Sequence, residues 1–185
     1  MKDHLEVNNN FSKILRQFPK ITYAGNKALR TKAKRVNFKD GVRIGKRLVA
    51  VLKKYKIMTG RGRGLAAPQI GIAKTVFVTF LDDTFEIYIN PRIIRRSKEK
   101  NLYRESCISS ATLSADVVRP RKITLIYSDL RGMRKEIIAE GFLARLLQHE
   151  HDHLHGILSI DISEPGSIEY TTKKFTREKL RVVRP

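Results

Sequence analysis

The 185-residue chain has almost no cysteine: Cys107 is the only one. An internal disulfide framework is therefore excluded, a reducing compartment is the default, and Cys107 is left as a free thiol or a metal ligand. Acidic residues are scarce too, 18 Asp and Glu against 38 Lys and Arg, for a formal charge of +20. That surplus draws the chain to nucleic acid or other polyanions without naming a target, and an ordinary basic surface is the plain alternative. No run of about 18 apolar residues is present, so no membrane-spanning helix is expected. The opening stretch MKDHLEVNNNFSKILRQFPK lacks the apolar core of a secretory signal, and Asp3 and Glu6 argue against a transit peptide. Tryptophan is missing as well, which excludes nothing. What is there, 41% hydrophobic residues over this length, suits one compact domain.

No repeat and no long linker divide the sequence. Phe11, Ile14, Leu15 and Phe18 recur at helical spacing and predict a short amphipathic helix ended by Pro19. Residues 41–57, GVRIGKRLVAVLKKYKI, read as a helix with a basic outer face. KTVFVTFL (74–81) and FEIYIN (85–90) read as strands flanking a DDT hairpin turn, the second stopping at Pro91. KITLIYSDLRG (122–132) is another β-rich run, with RKEIIAEG (134–141) as its candidate partner. A last regular element covers 142–155, followed by loop and a basic tail. Strands with a few embedded helices, not alternating one for one, predict an α+β fold.

Four histidines, His149, His151, His153 and His155, occupy alternate positions in LLQHEHDHLHG. On a strand all four would share a face. On a helix, positions two apart diverge by about 200°, so His149 pairs with His153 and His151 with His155. The helix is favoured: Leu143, Leu147, Glu150 and Leu154 form one stripe, and Gly156 stands where a C-terminal cap belongs. Only the first pair encloses a glutamate, giving H-E-x-x-H as His149, Glu150 and His153. In that motif two imidazoles grip one metal ion and the glutamate serves as general base. The second pair has Asp152 and no matching logic, so His151 and His155 are expected to face solvent.

A hydrolytic site of this kind takes three protein ligands and leaves one position for water. The extended H-E-x-x-H-x-x-G-x-x-H pattern fails, because Gly156 matches but position 159 is Ser159. Glu164 or Glu169 downstream are possible third ligands, and Cys107 in YRESCISS is the remaining candidate.

Three separated stretches resemble one family. GRGLAAPQIG (62–71) is similar to the peptide deformylase motif G-x-G-x-A-A-x-Q, ESCIS (105–109) to its E-G-C-L-S, and QHEHDHLHG (148–156) to its Q-H-E-x-D-H-L-x-G. Weaker matches lie between, and the resemblance spans residues 21–161. It implies antiparallel or mixed sheets packed around a central helix that carries the H-E-x-x-H motif. It also implies a catalytic domain over 21–163, with an N-terminal extension (1–20) and a basic tail (164–185). Carried over, it assigns Cys107, His149 and His153 to one divalent metal, Fe²⁺ in cells with Zn²⁺ or Ni²⁺ substituting. Glu150 becomes the general base, and the Gln69 amide and the Ile108 N–H stabilise the oxyanion. Gly62, Arg63, Gly64, Glu105 and Ser106 line the substrate path. The implied reaction is removal of the formyl group from N-formylmethionyl peptides in the cytoplasm of a bacterium, or in an organelle matrix of a eukaryote.

The chain departs from the pattern at Arg63, where the family has an aliphatic residue, at Ser106 for glycine and at Ile108 for leucine. The family's valine-proline after ESCIS is replaced by SATLSAD. Two other readings stand beside the deformylase. One is a basic protein binding ribosomal RNA, through RIIRRSKEK (92–100) or the tail from Lys173 to Arg184, with a structural or vestigial metal. The other is an unrelated H-E-x-x-H peptidase indifferent to Cys107→Ala.

Overall fold

The computed structural model describes residues 12, 15–170 and 181–183. Helix α1 runs Phe38–Thr59, longer at both ends than its apolar pattern indicates. Asn37 caps it, its side chain accepting from the Asp40 N–H at 2.9 Å, and Asp40 sits in the first turn, where helix polarity favours an anion. Gly60, in left-handed conformation, ends it. The buried face, Ile44, Leu48 and Leu52, packs on Val76, Val78, Ile87 and Ile89 of the neighbouring sheet.

That sheet has the order β1 (Gly64–Ala66), β2 (Val76–Leu81), β3 (Thr84–Arg96), β6 (Lys122–Ser128), β7 (Arg134–Glu140), every neighbour antiparallel. The β2–β3 hairpin closes on Asp82 and Asp83, both at positive φ, the two-residue turn whose twist matches the strands it joins. The expected stop at Pro91 does not occur. β3 continues through it because the pairing register shifts between Ile89 and Arg92, so the missing N–H falls where the ladder is already interrupted. Asn90, at φ 51, holds that bulge by bonding both the N–H and the carbonyl of Val36.

A second antiparallel sheet has the order β8 (Glu169–Tyr170), β5 (Leu113–Pro120), β4 (Lys100–Ser106), β9 (Arg181–Val183). None of its strands was expected from the sequence. β4 and β5 pair from Lys100↔Pro120 to Ser106↔Ser114, and the connection between them carries Cys107. The short β8 and β9 fall within the stretch read as loop and tail, and they add to the two edges.

Helix α2 (Gly141–His153) lies between the sheets, against β1, β2, β6 and β7 of the first and β5 of the second. Its Ala144 and Leu147, with Leu154 just beyond, join Phe77, Tyr88, Ile123 and Leu125 in one core. Gly156, at φ 75, closes the helix as expected. Its N–H reaches the His153 carbonyl and the Ile157 N–H reaches that of Asp152, the paired bonds of a glycine-terminated helix end. A side chain at 156 would strike the Arg30 carbonyl. Of the N-terminal helix, residues 15–17 are helical and Phe18 is buried against Tyr55, whereas Phe11 and Ile14 lie outside the described residues. Among the described residues, no helix is long and apolar enough to cross a membrane.

Candidate metal centre

The α2 helix puts His149 and His153 one turn apart, their rings edge-on at 5.0 Å between centroids. Cys107, at the end of β4, brings its sulfur to 3.2 Å from Nε2 of His153. All three ligand atoms lie within 4.8 Å of one another, and all three residues are buried. Bond lengths of ~2.3 Å to sulfur and ~2.0–2.1 Å to nitrogen place such donors about 3.5 Å apart around a tetrahedral ion, so the cluster fits one cation with little movement. His149 Nδ1 lies 2.9 Å from a Glu105 oxygen, which fixes the ring and leaves Nε2 for the metal.

The electrostatics ask for positive charge beside the sulfur. Burial pushes the Cys107 thiol up, but His153 and His149 outweigh it and hold the group well below its ordinary value. Burial likewise lowers His149, and the Cys107 thiolate and Glu105 carry it well above the ordinary imidazole range. A proton on His149 supplies the missing charge, and a divalent cation supplies more. Among the described residues neither Glu164 nor Glu169 belongs to the ligand cluster, and Glu169 is paired with Arg104.

Glu150 is buried on the same helix. Burial pushes its carboxyl up to about 7, against the pull of His149 and His153. Its Oε2 has no hydrogen-bond partner among the described residues, so one lone-pair site is open for a proton or for water. Gly64 makes room for it, since a Cβ there would lie 2.3 Å from Glu150 Oε1. At Gly62 the φ of 99° and the contact with Leu52 supply the reason for glycine.

The Gln69 side chain is clamped in one orientation. Its oxygen accepts from the Ala66 N–H at 2.7 Å, and its nitrogen donates to Ser109 Oγ at 3.1 Å and lies 3.5 Å from the Cys107 sulfur. Ile108 opens the 3-10 turn Ile108–Ser110, where the first N–H groups have no partner within the turn. Ser106 and Arg63 are exposed, Ser106 at the end of β4 and Arg63 just before the edge strand β1.

Two expectations need correction. His151 does not face solvent: α2 has sheet on more than one side, and His151 is buried with its ring 4.5 Å from that of the exposed His155. Burial, His155 and Arg96 lower it to about 3, so it is a neutral packing residue. Glu105, expected beside substrate, is instead buried and committed on both oxygens, accepting from Arg119, Arg145 and His149. Asp152 takes the remaining reach of Arg119 at 2.6 Å. Arg119 and Arg145 were not foreseen. The available signal was an arginine inside the apolar run FLARLL, at a position whose neighbours are buried.

With that geometry in view, comparison with known proteins is decisive. Residues 18–167 match the profile of the polypeptide deformylase family. The chain belongs to that family. Deformylases are metal-dependent hydrolases that act in protein biosynthesis, and the Cys107–His149–His153 cluster is where such an enzyme would hold its ion. A peptide deformylase of Pseudothermotoga lettingae is 37% identical over 163 residues, covering 88% of this chain and 92% of that protein. One from Treponema pallidum is 43% identical over 108 residues, or 58% and 67%. The deformylase crystal structure from Thermotoga maritima superposes with a TM-score of 0.72 at 34% identity, covering 78% of this chain and 97% of that one. That from Synechococcus elongatus, solved with actinonin, gives 0.71 at 35% identity and 79% of each.

Proposed function

We propose that this deformylase removes the formyl group of N-formylmethionyl peptides, with Fe²⁺ as the resident ion and Zn²⁺ or Ni²⁺ able to substitute. One thiolate and two neutral imidazoles suit a borderline-soft cation, and the observation that carries the reading is their convergence within 4.8 Å beside a protonatable Glu150. When bound, such an ion polarises a carbonyl and makes water acidic enough to attack at neutral pH. Glu150 takes the proton of the attacking water and returns it to the departing amine, so that formate and a free N-terminus result. The Gln69 amide, clamped with its nitrogen toward the centre, and the Ile108 N–H donate to the oxyanion as the carbonyl becomes tetrahedral. Arg63 and Ser106 border the peptide's path, and Gly62 and Gly64 shape the strand beside it.

Formate release from a formyl-Met peptide by anaerobically prepared, iron-loaded protein tests this directly. Failure to release formate with one ion bound per chain would sink the reading. Gln69→Leu is expected to lower kcat by about 10²–10³ with metal content unchanged. Cys107→Ala removes the one anionic ligand, so bound metal should fall from about one ion per chain to a small fraction of that after dialysis, measured by elemental analysis. An unrelated H-E-x-x-H peptidase would keep its metal. We place the enzyme with translating ribosomes, where its substrates emerge, in the cytoplasm of a bacterium or in the organelle matrix of a eukaryote. Of the cationic runs named for that contact, 92–100 has all five of its cations exposed, and Lys173–Arg184 lies outside the described residues apart from β9.

A further inference from the structure

The outer face of α1 is not used by any of this. Lys39, Arg43, Lys46, Arg47, Lys53 and Lys54 are all exposed. On an ideal helix they fall within an arc of about 120° along about 22 Å of axis. Asp40 is the only acid on the helix, and its single ion-pair partner there is Arg43. Lys54 rests 5.6 Å over the Phe18 ring, and among the described residues the other five cations carry no contact of that kind. The track does not stop with the helix. After Gly60 come the exposed Arg61 and Arg63, and the next residue, Gly64, abuts Glu150. The exposed cations of α1 are thus followed, within a few residues of chain, by two more beside the glycine that borders Glu150.

We propose that this face is a docking surface for a nucleic-acid phosphate backbone, and that docking there presents the mouth of the site to its peptide. Charge complementarity selects the partner class. A duplex offers one phosphate per ~1.7 Å of axis over its two strands, so about 22 Å of its length carries about a dozen anions, more than the six cations of this face need, and arginines are able to grip phosphates in bidentate fashion. An anionic membrane is the competing partner and is disfavoured, because Ile44, Leu48 and Leu52 are spent on the sheet, and the exposed apolar residues of α1, Phe38, Ile57 and Met58, stand at its two ends and form no continuous stripe to insert. The docking itself does not depend on the metal chemistry, whereas its use in presenting a peptide rests on the proposed function.

The test uses the full, metal-loaded chain and a labelled RNA duplex of about 20 base pairs, titrated by fluorescence anisotropy from about 50 to 300 mM salt. In one variant Arg43→Gln, Lys46→Gln, Arg47→Gln and Lys53→Gln are combined. In a control of equal charge, Lys122→Gln, Arg131→Gln, Arg134→Gln and Lys135→Gln are combined on the β6–β7 pair, where all four are exposed. The α1 variant should lower the slope of log Kobs against log[salt] by about 4, and the control by less than about 1. Both should release formate from a short formyl-Met peptide at the wild-type rate within about twofold, which shows that they are folded and loaded. Equal losses in the two variants would overturn the proposal, since the attraction would then belong to the net charge. Wild-type binding to phosphatidylserine vesicles at a salt concentration where the duplex is released would overturn it too, assigning α1 to a membrane surface.

Discussion

Glu150→Gln should lower kcat by about 10²–10⁴ while leaving one metal ion per chain. The substitution preserves the shape of the side chain over Gly64 and touches none of the three ligands. What it removes is a group that can gain and lose a proton near neutrality, the property burial confers by raising the carboxyl to about 7. The pH dependence gives a second readout with a fixed sign. A base works only when ionised, so wild-type kcat/KM should rise with pH through an acid limb. A cation in the adjacent triad favours the carboxylate and moves that limb below 7. The residual activity of Glu150→Gln should show no such limb. If the limb persisted unchanged in the variant, the proton acceptor would have to be sought elsewhere. Gly64→Ala offers an independent approach to the same carboxylate, since the added methyl must displace Glu150 without altering its chemistry.

The part of this site that could be read in the sequence is the part built on one helix. Helical spacing separates His149 and His153 from His151 and His155, and Gly156 marks the end; both features depend only on local backbone geometry. Cys107 is different. It reaches the imidazoles only because β4 and β5 form a second sheet, and neither strand announces itself. KNLYRES and LSADVVRP contain charges whose partners are inside the molecule: Arg104 pairs with Asp116 across the two strands, and Glu105 pairs with Arg119. Alternation of polar and apolar residues cannot signal a strand when its inward face is ionic. His151 was misplaced for a related reason. Amphipathic reasoning grants a helix one buried face, whereas α2 is flanked by both sheets. The continuation of β3 past Pro91 depends on Asn90 tying the bulge to Val36, a contact 54 residues away in the chain. Local pattern locates the helix and its motif; the third ligand and the support beneath it come from long-range pairing.

That support carries the second large effect. Glu105→Ala should destabilise the protein by about 3–5 kcal/mol and weaken metal binding by a further 10–100-fold. The carboxylate accepts from Arg119 at 2.6 and 3.0 Å, from Arg145 at 2.6 Å and from His149 at 2.9 Å. Without it, Asp152 is the only counter-charge left to the two buried guanidinium groups among the described residues, and it reaches Arg119 alone. His149 also loses the acceptor that orients its ring. Glu105→Gln separates these two losses. It keeps an oxygen for the His149 N–H but discards the charge, so its unfolding midpoint in urea should fall nearly as far while its metal affinity falls less. Acid titration distinguishes the two states of the carboxyl. Burial opposes ionisation of Glu105, yet Arg119 and His149 hold its pKa well below the ordinary value. The stabilisation it provides is therefore fully present above its unfolded value of about 4.3 and is lost as pH falls through the depressed folded value. Metal-free wild type should lose stability over that acid range, and metal-free Glu105→Gln should lack this component. A Gln variant as stable as wild type at pH 7 would mean that the arginines are neutralised by groups other than Glu105. The ion pair would then position His149 without holding the sheets to the helix.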